Sequence, residues 1–131
     1  MNEIIKKLSE LIEHSSYLSS LFTSNAIAME NGEMQDAQKF TKEATAFLSV
    51  MLKDIFVEIE DVLGANSQDE SDYDFSILDM IKLLSEINHN SGILIFMILE
   101  NQPETIQKNV KNKIICAINA VKSLAQALFF N

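Results

Sequence analysis

Two short segments of this chain carry carboxylates and histidines at spacings that could bind a metal ion. Glu86 and His89 stand three residues apart, and the repeated segment carries Glu10 and Glu13 at the same spacing, followed by His14. Residues at these spacings share one face of a helix, and a dinuclear metal site in a helical bundle combines two such pairs with a glutamate from each of two further helices. The chain has no carboxylate after Glu104, so its last part lacks the fourth ligand. We therefore expect neither a metal site nor another cofactor.

A second possible chemistry is that of a nucleophilic thiol, because the chain contains one cysteine, Cys116. The histidines lie far from it in the sequence, and a lone cysteine beside an apolar stripe usually serves packing. The three glycines are isolated, which excludes a glycine-rich phosphate loop. These observations predict a protein that is not an enzyme and has no catalytic residue. A single cysteine also suits a reducing compartment, so the expected location is cytoplasmic.

The formal charge of the chain is −9 at pH 7, and it is unevenly distributed. Nine acids and no base lie between Asp54 and Asp79, and every base in the chain is a lysine. Nucleic-acid binding needs a basic face and usually arginine, so nucleic acid is not an expected partner. A membrane is not expected either, since no apolar run approaches the roughly 20 residues that span a bilayer.

The elements that position these residues follow from a weak internal repeat. The segment from Ile5 to Glu10 recurs from Ile81 to Glu86, and Ser15 recurs as Ser91 at the same offset. Glycine and proline are scarce, and apolar residues recur at the alternating spacing of three and four that is typical of bundle helices. The sequence predicts an all-α protein, an antiparallel four-helix bundle made of two helical hairpins. A single domain covers residues 1–131, with a hairpin at 1–63, an acidic linker at 64–74 and a hairpin at 75–131.

The four predicted helices run at about 2–29, 33–63, 76–100 and 103–129. Gly32 should end the first, Asp74 or Ser76 should cap the third, and Pro103 should occupy the first position of the fourth. Short turns within each hairpin favour an up-down-up-down order. The inward stripe of the second helix is expected to continue through Met51, Ile55, Ile59 and Val62.

Two asparagines, Asn25 and Asn88, lie on otherwise apolar stripes of the first and third predicted helices. A buried asparagine more often fixes the register between helices than binds a ligand. We expect both side chains to join neighbouring helices.

The most apolar part of the chain is the segment Ile93–Leu99 in the third predicted helix. A helix that is apolar on every face must be covered on all sides, whereas a lone four-helix bundle covers one broad face of each helix. The excess apolar surface predicts association with another copy of the chain or with another protein. The alternative is that the third predicted helix is the central helix of an irregular fold, covered by the rest of the same chain.

We therefore expect a non-catalytic helical protein–protein interaction module, homodimeric through the third predicted helix. The expected partner-binding residues are the apolar Ile93, Phe96, Met97, Phe129 and Phe130 and the acidic Glu58, Asp61 and Asp69. One alternative is a small acidic binding chaperone for an exported or filament-forming protein, because bacterial export chaperones are similarly small, acidic and helical. Another is a small acidic inhibitor or immunity protein that acts on a basic target through the acidic cluster.

Overall fold

The computed structural model describes residues 2–64 and 76–130, and the regular structure within these ranges is entirely helical. It consists of α1 (Asn2–Glu30), α2 (Met34–Val50), a π-helical turn (Met51–Ile55), α3 (Phe56–Leu63), α4 (Ile77–Leu99) and α5 (Glu104–Leu128). The predicted all-α class is confirmed. Of the predicted acidic linker 64–74, only Gly64 belongs to the described residues; Asp69 and the alternative cap Asp74 lie outside them.

Both tight turns end the preceding helix with the same backbone motif. Gly32 has a φ of 75°, and Asn101 has a φ of 54°. At the first turn the Glu33 amide donates to the Ala28 carbonyl at 2.8 Å, and the second turn has the equivalent bond at 2.9 Å. A left-handed residue followed by this bond is a Schellman motif, which uses two of the free carbonyls at a helix end. The predicted stop at Gly32 is confirmed.

The two helices of the second half start in different ways. Ser76 caps α4 as predicted, since the Asp79 amide donates to Ser76 Oγ at 3.2 Å and Ser76 Oγ donates to Asp79 Oδ2 at 2.8 Å. Pro103 does not occupy the first position of α5, as was predicted; it lies one residue before that position. Its ψ of 145° is extended rather than helical, and its carbonyl accepts from the amides of Ile106 and Gln107, both at 3.1 Å.

The π-helical turn interrupts the second predicted helix and changes which residues face the core. Beyond this turn Phe56 and Leu63 are buried together with Ile59, whereas Ile55 and Val62 are only half-buried. A π turn holds more residues than an α turn, so the side chains that follow are rotated relative to an unbroken α-helix. The predicted stripe missed Phe56 and Leu63 for this reason.

The order of the helices differs from the predicted up-down-up-down order. The Phe22 ring in α1 stacks on the Phe129 ring just after α5, with centroids 5.5 Å apart, and Leu63 of α3 lines a cavity together with Glu104 of α5. The end of α5 therefore lies beside the later part of α1, and its start lies beside the end of α3. The predicted order would place the end of α5 beside the start of α1, so it is wrong. A short turn forces neighbouring helices to be antiparallel, but α3 and α4 are not joined by a short turn.

The repeated helices α1 and α4 form the centre of the molecule. α1 packs mainly against α2 and α4, and α5 packs mainly against α4. The repeated serines Ser15 and Ser91 are fully buried, and neither Oγ has a hydrogen-bond partner among the described residues. Asn88 Nδ2 donates to Ser16 Oγ at 2.9 Å and so joins α4 to α1, as the sequence analysis expected.

Candidate interaction surface on α4

The helix α4 is covered on two sides and exposed on a third. Its buried side chains face α1 and α5, against which it packs. Its exposed side chains include a continuous row with alternating spacings of four and three residues, which we call the outer stripe of α4. The outer stripe consists of Leu78, Lys82, Ser85, His89, Gly92, Phe96 and Leu99. This spacing keeps all seven residues on one face of the helix.

The apolar segment Ile93–Leu99 is only partly covered by the rest of the chain. Leu94 and Ile98 are buried, while Phe96 is 61% exposed and Leu99 is 62% exposed. The remaining three side chains, Ile93, Ile95 and Met97, are partly buried against the core. Two large apolar side chains one turn apart therefore face outward on a helix whose other sides are packed.

Gly92 adds a flat position beside these two side chains. It is exposed, and no atom lies within 4 Å of the position that a Cβ would occupy. The stretch Gly92–Leu99 contains no ionisable side chain. This end of the outer stripe can bury apolar surface against a partner, but it offers no group for acid–base or nucleophilic chemistry.

The aromatic residues Phe129 and Phe130 do not join this surface. Phe129 stacks on Phe22 and contacts Phe130 edge-on, with centroids 6.5 Å apart. Phe96 lies about 5 Å along α4 from the end of that helix, whereas Phe129 follows α5, a helix about 37 Å long. The predicted apolar residues therefore occupy opposite ends of the α4–α5 pair.

The acidic residues have partners that the sequence order did not reveal. Glu58 accepts a hydrogen bond from Lys7 Nζ at 2.8 Å, and Glu60 forms an ion pair with Lys122. The bond to Glu58 raises the pKa of Lys7 above its ordinary value. Asp61 is exposed, and Asp69 lies outside the described residues. The lysines come from α1 and α5, so Glu58 and Glu60 join α3 to these two helices.

The histidines do not assemble a metal site within the described residues. His14 Nδ1 donates to the Glu10 carbonyl at 2.6 Å, and its ring stacks on Phe47, with centroids 5.7 Å apart. Tyr17 contacts the same Phe47 ring edge-on at 4.9 Å. Between residues 2 and 64 and between 76 and 130, no three His, Cys, Asp or Glu side chains are grouped as metal ligands. His14 thus belongs to an aromatic cluster on the α1–α2 surface.

A cavity of about 310 Å³ lies at the α1–α2 turn, and the sequence analysis did not predict it. Asn25 lines it together with residues of α2. The one signal in the sequence was the position of Asn25 on an apolar stripe, which predicted a join between helices and not a cavity.

Comparisons with protein-family models, with curated proteins and with solved structures give no match for this chain. Within the described residues, no helix has the length and apolar content needed to cross a bilayer.

Proposed function

We propose that this protein is a non-catalytic helical interaction module that forms a homodimer through the outer stripe of α4. The observation that carries the proposal is the exposure of Phe96 and Leu99 on a helix that is packed on its other sides. Exposed apolar residues grouped on one surface usually mark a site of association. Phe129, Phe130 and the acidic residues are not part of this proposed interface.

A second copy of the chain suits the outer stripe because the stripe is complementary to itself. A two-fold interface pairs residue i with j and j with i, and the four-three spacing is that of a coiled-coil seam. With antiparallel α4 helices centred between Ser85 and His89, Leu78 of each copy lies opposite Phe96 of the other. Lys82 then lies opposite Gly92, where there is room for its long side chain. No two like charges of the stripe face each other in this pairing.

The outer stripe is one helix wide, which limits the area of the contact. It runs for about 30 Å along α4, and a helix with its side chains is about 10 Å across. A stable interface buries about 800 Å² per partner, so the outer stripe by itself supplies less than half of that area. The half-buried Ile93, Ile95 and Met97 lie beside it and would add to the contact.

The proposed dimer takes residues 1–131 as a single domain, a four-helix bundle of two antiparallel hairpins. The contacts of the first hairpin support this arrangement, since Lys7 near the start of α1 bonds Glu58 near the end of α3. At the other end of the same hairpin, Asn25 bonds the carbonyl of Ala37 at the start of α2. The second hairpin has a four-residue turn, residues 100–103, which leaves α5 beside α4.

The decisive experiment measures the mass of the protein in solution by light scattering over a range of concentrations. We expect a dimer for the wild type. We expect Phe96→Asp to raise the dimer dissociation constant by at least about tenfold, because a charge would be buried against Leu78 of the other copy. Its melting temperature should change little at concentrations where both proteins are monomers, since Phe96 is mostly exposed.

Two further variants separate the pairing geometry from a general effect of added charge. Leu78→Asp should weaken the dimer as well, because it lies opposite Phe96 in the antiparallel pairing. Val50→Asp adds the same charge to an exposed position on α2, away from α4, and should leave the dimer intact. A monomeric wild type would refute the proposed function, and an effect of Phe96→Asp without any effect of Leu78→Asp would refute the antiparallel pairing.

A further inference from the structure

Glu86 and His89 form an exposed pair of possible metal ligands on α4. They stand three residues apart in one helix, so their side chains are neighbours on its surface. Neither side chain forms a hydrogen bond or an ion pair with any residue in the described ranges 2–64 and 76–130. A carboxylate and an imidazole both bind zinc, but they fill only two of its usual four positions. One chain therefore supplies half of a zinc site here.

The antiparallel dimer of the proposed function brings two such half-sites together. Its two-fold axis passes between the α4 helices at the level of Ile87, midway between Ser85 and His89. Glu86 is then offset from Glu86 of the other copy by two residues, which is about 3 Å along the helix. His89 is offset from its counterpart by four residues, which is about 6 Å.

All four side chains lie on the same side of the contact between the two outer stripes. In an antiparallel pair the two-fold axis is perpendicular to the plane of the two helices, so both copies of a residue lie on one side of that plane. Successive residues are about 100° apart around a helix, which places Glu86 about 60° beyond His89. Packed helices have axes about 8–10 Å apart. A metal ion on the axis is therefore within reach of both residues from each copy.

The charges near the axis also favour a bound cation. The pairing places two Glu86 carboxylates near each other, and like charges at close range disfavour a contact. A divalent cation between them reverses this effect. Lys82 of the same helix does not neutralise Glu86, since no ion pair joins them among the described residues. The imidazole nitrogens of His89 favour zinc over magnesium or calcium, which prefer oxygen ligands.

We propose that zinc binds on the two-fold axis of the homodimer, with Glu86 and His89 of both copies as its four ligands. The site rests on the proposed function, because half of its ligands come from the second copy. Four protein ligands leave no open position for a substrate, so this zinc is structural. Zinc strengthens the dimer, and by linkage the dimer strengthens zinc binding by the same factor. The ion thus adds to a contact for which the outer stripe alone supplies little area.

The test measures the dimer dissociation constant by analytical ultracentrifugation, first with a chelator and then with added zinc. We expect zinc to lower this constant by at least about tenfold, and magnesium at the same concentration to leave it unchanged. Calorimetric titration should give one zinc ion per two chains. Phe96→Asp weakens the apolar contact and should bind zinc at least about tenfold more weakly, because most molecules then lack the second half-site.

Variants of the two ligands test whether zinc binds at the axis. Each of Glu86→Gln and His89→Gln removes two ligands from the dimer, and zinc should then leave its dissociation constant unchanged. Glu86 lies outside the outer stripe, so Glu86→Gln should tighten the zinc-free dimer slightly by removing the like charges. The matched controls are Glu13→Gln and His14→Gln on α1, which should respond to zinc as the wild type does.

The outcomes separate the zinc site from the homodimer itself. A dimer whose dissociation constant does not change with zinc would overturn this inference and leave the homodimer intact. Tightening by zinc that persists in Glu86→Gln or His89→Gln, or a stoichiometry other than one ion per two chains, would also overturn it, because the ion would then bind elsewhere. A chain that stays monomeric both with and without zinc would contradict the homodimer and the zinc site together.

Discussion

The two hairpins are completed in different ways. α2 and α3 pack on α1 in the first hairpin, and α5 packs on α4 in the second. α5 is an unbroken helix with ten buried residues, of which all but Gln107 are apolar. α2 and α3 bury three residues each and are separated by the π-helical turn. The first hairpin adds polar contacts at its two ends, from Asn25 to α2 and from Lys7 to Glu58.

This difference shows how one repeated helix can support two unlike partners. The similarity between the halves is strongest in α1 and α4, where Ser15 and Ser91 are both fully buried. Their partner helices share little sequence, and each solves its packing separately. α2 and α3 bury fewer side chains than α5, so they depend more on the rotation of α3 by the π-helical turn and on polar contacts. Changes to those features should therefore destabilise the first hairpin most.

The largest expected effect concerns the π-helical turn. Phe56→Ala should lower the free energy of unfolding by about 3–5 kcal/mol, because it empties a fully buried site, whereas Ile55→Ala should cost about 1–2 kcal/mol, because its side chain is half-buried. Urea unfolding followed by circular dichroism measures both. An equal or larger loss for Ile55→Ala would mean that the helix is a regular α-helix in solution.

The next effect compares the two asparagines. Asn25→Ala should cost about 1–2 kcal/mol, because buried hydrogen bonds to α2 are lost. Asn88→Ala should cost about 0.5 kcal/mol or less, because its partner Ser16 is exposed and water can replace the bond. The same unfolding experiment ranks them, and the reverse order would show that the polar contact within the first hairpin matters less for stability than the one between α1 and α4.

A smaller effect separates the two turns. Gly32→Ala should cost about 1 kcal/mol, because alanine disfavours the left-handed conformation at the helix end. Asn101→Gly should be neutral or stabilise the protein by up to about 0.5 kcal/mol, because glycine adopts that conformation without strain. The melting temperatures of the two variants should shift from that of the wild type in opposite directions or by clearly unequal amounts. A loss of stability in Asn101→Gly as large as that in Gly32→Ala would show that the Asn101 side chain has its own role in the second turn.

The smallest effect concerns the ion pair between Lys7 and Glu58. Because the pKa of Lys7 is raised above 10.5 in the folded protein, the pair contributes to stability below that pH and its contribution disappears as the pH rises through the raised value. Lys7→Met should therefore lower the urea midpoint slightly at pH 9 and less at pH 11. High salt should also reduce the difference, and Lys39→Met, at an exposed position on α2, serves as the control. A difference that is unchanged by pH and salt would mean that Lys7 acts through its packing.

Much of the local structure followed from the sequence because it depends on near neighbours. The end of α1 at Gly32 and the cap of α4 at Ser76 are set by residues within one turn of each position. Asn25 and Asn88 were expected to join helices because each is a polar residue on an apolar stripe. The exposure of Phe96 and Leu99 was only partly predictable, since the apolar segment revealed an excess of apolar surface but not which of its residues would remain uncovered.

The sequence by itself determined that the chain is helical, where its helices begin and end apart from the break at the π-helical turn, and that its apolar surface is large for its size. Only the tertiary structure decided the direction of α5, the lysine partners of Glu58 and Glu60, the rotation of α3 by the π-helical turn and the cavity beside Asn25. The first group depends on backbone preferences and periodicity along the chain. The second depends on contacts between residues that are distant in the sequence, and those contacts are chosen by the packing of the whole molecule.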